Sequence, residues 1–191
     1  MSDTSNDTAS PVRPAPATVP VWDAPLRIFH WALAVAVLTA WFSANVFDTL
    51  HEIAGYGVLG LIALRLLWGF IGPPYARFAN FVRPPRATLR YLGSLMRGQP
   101  RRYLGHNPAG AAMTVALLAT LAVSAISGWM QITQAFFGVE WVEQVHTYSS
   151  HLALILAAVH VLGVLLMCAL QKENLVRAMF SGKKTARRDD P

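Results

Sequence analysis

Charge is scarce in this sequence. Lys, Arg, Asp and Glu make up only 14% of the 191 residues and hydrophobic residues 54%, which is too apolar for an ordinary soluble domain. Cysteine is nearly absent, and the single Cys168 can close no internal disulfide and carries no message about redox compartment. No Gly-rich dinucleotide fingerprint, flavin motif or cysteine cluster for iron–sulfur chemistry is present. Residues 1–21, "MSDTSNDTASPVRPAPATVPV", contain no apolar run and read as a disordered tail. A cleavable signal would place its apolar core directly after a short basic start. Here the first apolar run begins past residue 25, has full length and carries His30, so it reads as an uncleaved span.

Four long apolar windows are present: residues 28–47, 53–70, 109–130 and 147–170. Each is long enough to cross a hydrocarbon core of ~30 Å at ~1.5 Å per residue, and none shows the polar face of a soluble-bundle helix. The reading is a multi-pass, all-α membrane protein with a four-helix membrane domain over 22–180 and a basic tail over 181–191. One basic residue, Arg65, falls inside a span. The other fifteen lie before span one, between spans two and three, or after span four. The opposite loops, 48–52 and 131–146, hold Asp48, Glu52, Glu140 and Glu143 and no Lys or Arg. The positive-inside bias puts both termini and the 71–108 loop in the cytoplasm of a bacterial inner-membrane protein. That loop's arginines are better matched to anionic headgroups of the lipid bilayer than to nucleic acid, because the loop is pinned between two spans. Within it, "FVRPPRATLRYLGSLMRG" predicts a short amphipathic helix on the cytoplasmic surface, with Leu89, Leu92 and Met96 on one stripe.

Ionisable side chains inside spans are functional candidates. His146 and His160 are 14 residues apart on span four, about 40° short of whole turns, so they share a face ~21 Å apart along the axis. His151 lies ~140–180° round from both and reads as a packing or polar-contact residue, with a role in proton uptake or a quinone pocket as the alternative. Span one enters from inside, and His30 matches the depth of His160. Span two enters from outside, and His51 matches the depth of His146. The chain thus offers two histidine pairs at two depths, each from two helices. Paired imidazoles across a bundle suit the two axial positions of a b haem, whereas zinc would want more ligands at one point. Without a C-x-x-C-H motif the haems are non-covalent, and with both axial sites filled they transfer electrons and do not activate ligands.

Further stretches carry a family resemblance: "VWDAPLRIFHW" (21–31), "LHEIAGYGVLGLIALRLLWGFIGP" (50–73), "YARFANFV" (75–82), "GHNPAGAAM" (105–113), the H-x13-H of span four and "ENLVRAMFSGKK" (173–184). With these motifs the chain resembles the prokaryotic cytochrome b561 and Ni,Fe-hydrogenase b-type cytochrome superfamily over nearly everything after residue 20. The resemblance implies a four-helix bundle with two b haems, His30 with His160 for the inner and His51 with His146 for the outer, in agreement with the depth pairing.

Arg65, 14 positions after His51, sits at the inner level. There it either pairs with a haem propionate or snorkels to headgroups. Gly55, Gly57 and Gly60 suit close approach of a porphyrin or of another helix. The tryptophans near span ends, Trp31, Trp41, Trp68, Trp129 and Trp141, read as an interface belt. His106 and Asn107 precede span three, where they either contact a quinone or a propionate or form a turn before Pro108. The function these features predict is electron transfer between the quinone pool (ubiquinone or menaquinone) and a partner across the bilayer, a periplasmic c-type cytochrome or an oxidoreductase catalytic subunit. A stand-alone quinone oxidoreductase using a small reactant such as superoxide is the alternative within this class. From another class, a haem-free anchor or metal transporter would show discontinuous spans or an acidic midplane site, and the sequence has neither.

Overall fold

The structure is a computed structural model that describes residues 18–98 and 101–186. In chain order it has strand β1 (Thr18–Pro20), helices α1 (Ala24–Ser43), α2 (Asp48–Ile71), α3 (Phe78–Phe81), α4 (Pro85–Met96), α5 (Pro108–Gln131), α6 (Glu140–Gln171) and α7 (Leu175–Ser181), and strand β2 (Lys183–Thr185). Helices α1, α2, α5 and α6 are long and apolar enough to cross a membrane. They fall where the apolar windows lie, with shifted ends. Helix α1 starts at Ala24 because Pro25 in its first turn is pre-set for a helix. Helix α6 starts at Glu140, ahead of the apolar window, because Glu140 and Glu143 favour the positive end of a helix dipole although neither is apolar.

Helix α1 packs on α2, α2 on α5, and α5 on α6. Val58 and Ile62 of α2, Leu118 and Leu121 of α5, and Ala153 of α6 form the buried centre. The perimeter is apolar and uncovered, with Val35, Leu64, Ile155 and Leu162 all exposed. Such a surface would aggregate in water but needs no partner in hydrocarbon. The interior serine hydroxyls are satisfied within the bundle. Ser127 and Ser149 donate to carbonyls one turn back, and Ser124 bonds Ser150 across the α5–α6 interface at 2.7 Å.

A clasp closes the end that carries both termini. Strands β1 and β2 pair antiparallel, with Thr18 opposite Thr185. The amides of Val21 and Trp22 donate to the Gly182 carbonyl at 2.8 and 3.0 Å. Arg27 donates to the Phe180 carbonyl, Trp68 donates to Asp23 at 2.7 Å, and Arg102 pairs with Glu173 at 2.8 Å. Residues 18–21 and 183–185 are therefore ordered, although local composition places them in tails. The pairing joins the two ends of the chain, which a window along the sequence does not register. Residues 1–17 and 187–191 lie outside the described residues. Helix α4 is present where the sequence predicts it. Its Tyr91 is buried, and Leu89, Leu92 and Met96 point away from the protein.

Candidate metal-ligating centres

His51 lies in the first turn of α2 and His146 in the second turn of α6. The bundle brings their rings to 6.0 Å between centres with planes at 89°. Two imidazoles on opposite faces of one iron, each with a metal–nitrogen bond of about 2 Å, have ring centres roughly 6 Å apart. The ring nitrogens fit that role. His51 Nδ1 lies 2.7 Å from the Ala40 carbonyl and His146 Nδ1 lies 2.8 Å from the Ser124 carbonyl. A carbonyl only accepts, so both Nδ1 atoms carry the hydrogen, and each Nε2 keeps a lone pair for a metal. Gly128 makes room for this arrangement, because a Cβ there would lie 2.9 Å from His146 Cε1. A cleft of about 700 Å³ opens beside the pair, bordered by Trp41, Asp48, Glu52, Tyr56 and His151. Gly55 lines it too, and a Cβ there would project into open space.

His30 of α1 and His160 of α6 form the second pair, with ring centres 6.3 Å apart and planes at 54°. His30 Nδ1 is buried without a partner, as is the adjacent Trp31 Nε1. Trp31 stacks on Phe180 at 4.3 Å and meets His30 edge-on at 5.1 Å. Arg65 is 2% exposed, so its guanidinium stays in the protein interior and does not snorkel. Its Nη2 donates to the Ala76 carbonyl at 3.1 Å, its Cζ lies 4.6 Å from the Phe78 ring centre, and its Nη1 has no partner. Phe78 reaches this place only because Gly69 has no side chain.

His106 and Asn107 part company. The His106 ring stacks on Phe81 at 4.4 Å and takes the edge of Trp22 at 4.9 Å, and its Nδ1 is buried without a partner. Burial, with Arg65, Lys184 and His160 adding repulsion, lowers its pKa to about 3, so the ring is neutral. Asn107 caps α5, accepting the Gly110 amide on its Oδ1 at 2.7 Å. That is the turn reading of the motif. His151 is exposed, with Nδ1 2.7 Å from the Thr147 carbonyl and Trp41 edge-on at 5.3 Å. It stands off the ligand face but at the mouth of the same cleft.

The sequence reading missed the Ala40 and Ser124 carbonyls, Gly128, Phe78, Phe81 and Lys184. Carbonyl acceptors leave no residue signature. Gly128 sits one turn from Ser124 on α5, a small-residue step that a helical wheel would have shown. Trp41, Trp129 and Trp141 are exposed, as an interface belt requires. Trp31 stacks on Phe180 and Trp68 bonds Asp23, so these two are held by protein contacts. Among the described residues no three His, Cys, Asp or Glu side chains gather as a zinc site needs. Two opposed rings, a fixed tautomer and an open cleft fit a b haem.

The family model for prokaryotic cytochrome b561 matches residues 21–182. Among curated proteins, the chain is 25% identical to a probable Ni/Fe-hydrogenase B-type cytochrome subunit of Rhodobacter capsulatus, over 90% of this chain and 83% of that protein. It is 26% identical to a protein of the same description from Rhizobium leguminosarum bv. viciae, over 87% of this chain and 89% of that one. It is also 26% identical to one from Azotobacter vinelandii, over 90% of each. No solved structure matches the chain.

Proposed function

The chain belongs to the prokaryotic cytochrome b561 family, and from that premise we propose that it carries electrons across a bacterial inner membrane through two non-covalent b haems. The observation that carries this reading is the pair of opposed imidazole sets, with ring centres 6.0 and 6.3 Å apart, at two levels of one bundle. Haem held by such paired histidines would supply one-electron transfer. His51 and His146 hold the outer group, and the Ala40 and Ser124 carbonyls keep their Nε2 atoms available. His30 and His160 hold the inner group. Arg65 Nη1, turned inward without a partner, is the donor for a propionate of that group.

The fifteen basic residues outside the spans support cytoplasmic termini, with the His30–His160 level on the inner side. On the outer side, Asp48, Glu52, Glu140 and Glu143 form an acidic rim suited to a basic docking face. The relatives are described as hydrogenase cytochrome subunits, which favours a catalytic subunit as the outer partner, with a c-type cytochrome in the same role otherwise. At the inner side the exchange partner is ubiquinone or menaquinone, with the neutral His106 beside the inner centre. Helix α4 lies on the inner surface with its Leu89, Leu92 and Met96 stripe in the lipid.

Rapid mixing of oxidised, inside-out membrane vesicles with a short-chain quinol tests the reading. Haem absorbance should rise to the reduced form in the wild type and stay oxidised in His160→Ala, while dithionite still reduces the haem held by His51 and His146. A His160→Ala protein reduced by quinol as fast as the wild type would contradict the proposal.

A further inference from the structure

The two histidine levels differ sharply in charge. The end of the bundle that holds His30 and His160 carries three cations. Arg65 is 2% exposed and Lys184 6% exposed, and Arg27 lies one turn before His30 on α1. Arg65 lies 14 positions after His51 on α2, ~21 Å deeper and so at the level of His160, and both Arg65 and Lys184 lie within electrostatic reach of His106. The acids nearby are Asp23, which accepts from Trp68 and whose charge also reaches Arg65, and Glu173, which is paired with Arg102. Donors without acceptors collect here as well: Arg65 Nη1, Arg27 Nε and Trp31 Nε1 are all buried and unpartnered. Buried donors of this kind need an acceptor, and an anionic one best offsets the charge of two guanidiniums.

Around His51 and His146 the charges are of the other sign. Asp48 and Glu52 line the cleft beside the pair. Residues 28–64 and 103–171 contain no Lys or Arg at all, and they supply all four helix segments at this level. A cation near a redox centre favours the state with one more electron, and a carboxylate disfavours it. The cations of the inner level are mostly buried, so salt screens them little, while the exposed Glu52 is screened more.

Resting on the two-haem reading above, we propose that this division of charge makes the inner haem the stronger electron acceptor, with Arg65 the residue that sets most of the difference. The chain thereby favours transfer of one electron from the outer centre, which is oxidised, to the inner centre, which is reduced. No bond is made or broken, and no proton need move. The chain is then built to deliver electrons toward the end carrying its termini.

Redox titration of the purified holoprotein at low ionic strength, followed by haem absorbance, tests this. Two one-electron steps are expected, and the step missing in His160→Ala should be the one at higher potential. Arg65→Gln should lower that step's reduction equilibrium at least tenfold, a fall of about 59 mV, and leave the other in place. Arg65→Lys, which keeps the charge, should restore most of it, an outcome that packing alone does not produce. Glu52→Gln, at an exposed position, should raise the lower step and serves even if Arg65→Gln does not fold. Loss of the lower step in His160→Ala overturns the inference, as does an Arg65→Gln titration identical to the wild type. Haem content on the same samples separates the two layers of argument. A wild type with one haem overturns the two-haem reading, whereas two haems in the reverse order of potential overturn only the charge argument.

Discussion

Substituting Gly128 by alanine perturbs one histidine of the proposed outer centre without touching any ligand atom. The added Cβ would sit 2.9 Å from His146 Cε1 and 3.1 Å from Nδ1. Real carbon atoms do not approach that closely, so either the ring or helix α5 must move. The ring has little freedom, because its Nδ1 is held by the Ser124 carbonyl at 2.8 Å on the same helix as Gly128. Relief by tilting the ring breaks that bond, worth ~1 kcal/mol net. Relief by moving α5 incurs the overpacking penalty of ~1–3 kcal/mol. Loss of a hydrogen bond behind a metal-ligating histidine typically lowers metal affinity roughly 10- to 100-fold. Gly128→Ala should therefore leave the protein in the membrane with about one haem per chain after purification, the remaining spectrum being that of the His30–His160 centre. Gly57→Ala is the control, since a Cβ there meets nothing and the position is exposed. Haem per chain, measured as the pyridine haemochrome against protein content, is the assay. A Gly128→Ala protein that retains both haems, or that loses the inner one, refutes the placement of His146.

Histidine variants should sort into two spectral groups. His51→Ala and His146→Ala remove the same component, and His30→Ala and His160→Ala remove the other. His151→Ala keeps both, and a His151→Ala protein lacking a haem while His146→Ala retains two would show that the outer ligand is misassigned. At the clasp, Gly182 has φ 77°, and a Cβ there would lie 2.6 Å from the Trp22 carbonyl oxygen. Gly182→Ala should destabilise the protein by at least ~1–2 kcal/mol, read as a lower thermal midpoint in detergent, and an unchanged midpoint would contradict the strain. His106 binds a proton in the folded protein only near pH 3 but near 6.5 when unfolded. Between those values the unfolded state holds more protons, so stability rises with pH through that window and is level above it. The group contributes up to about 1.4 kcal/mol per pH unit. The fall in thermal midpoint from pH 6.5 to 4 should be shallower in His106→Phe, and equal slopes would show that the ring is not held neutral.

The spans and the histidine pairing were legible in the sequence because both follow from helix arithmetic. Apolar length locates α1, α2, α5 and α6, and a rise per residue converts the positions of His30, His51, His146 and His160 into depths. What depends on contacts between distant segments was not legible. The β1–β2 clasp joins Thr18 to Thr185, and no local pattern announces a pairing of three residues. Arg65 was readable as an inner-level cation. Its seat over Phe78 depends on a close approach that only Gly69 allows, and that approach belongs to the packing. The "GHNP" motif held two futures, and the local hydrogen bond decided one of them. Asn107 became a cap, while His106 turned inward among Phe81 and Trp22. His151 shows where wheel angles stop being informative, because a cleft as wide as this one also includes side chains well off the ligand face.

The central claim is that one chain holds two haems, each between two histidines. The pyridine haemochrome of the purified wild-type protein, quantified against amino-acid analysis, tests it most directly. The account predicts two haems b per chain, both extracted by acid acetone and both low-spin in the oxidised protein. One haem per chain, or a haem that stays with the protein after extraction, would contradict it.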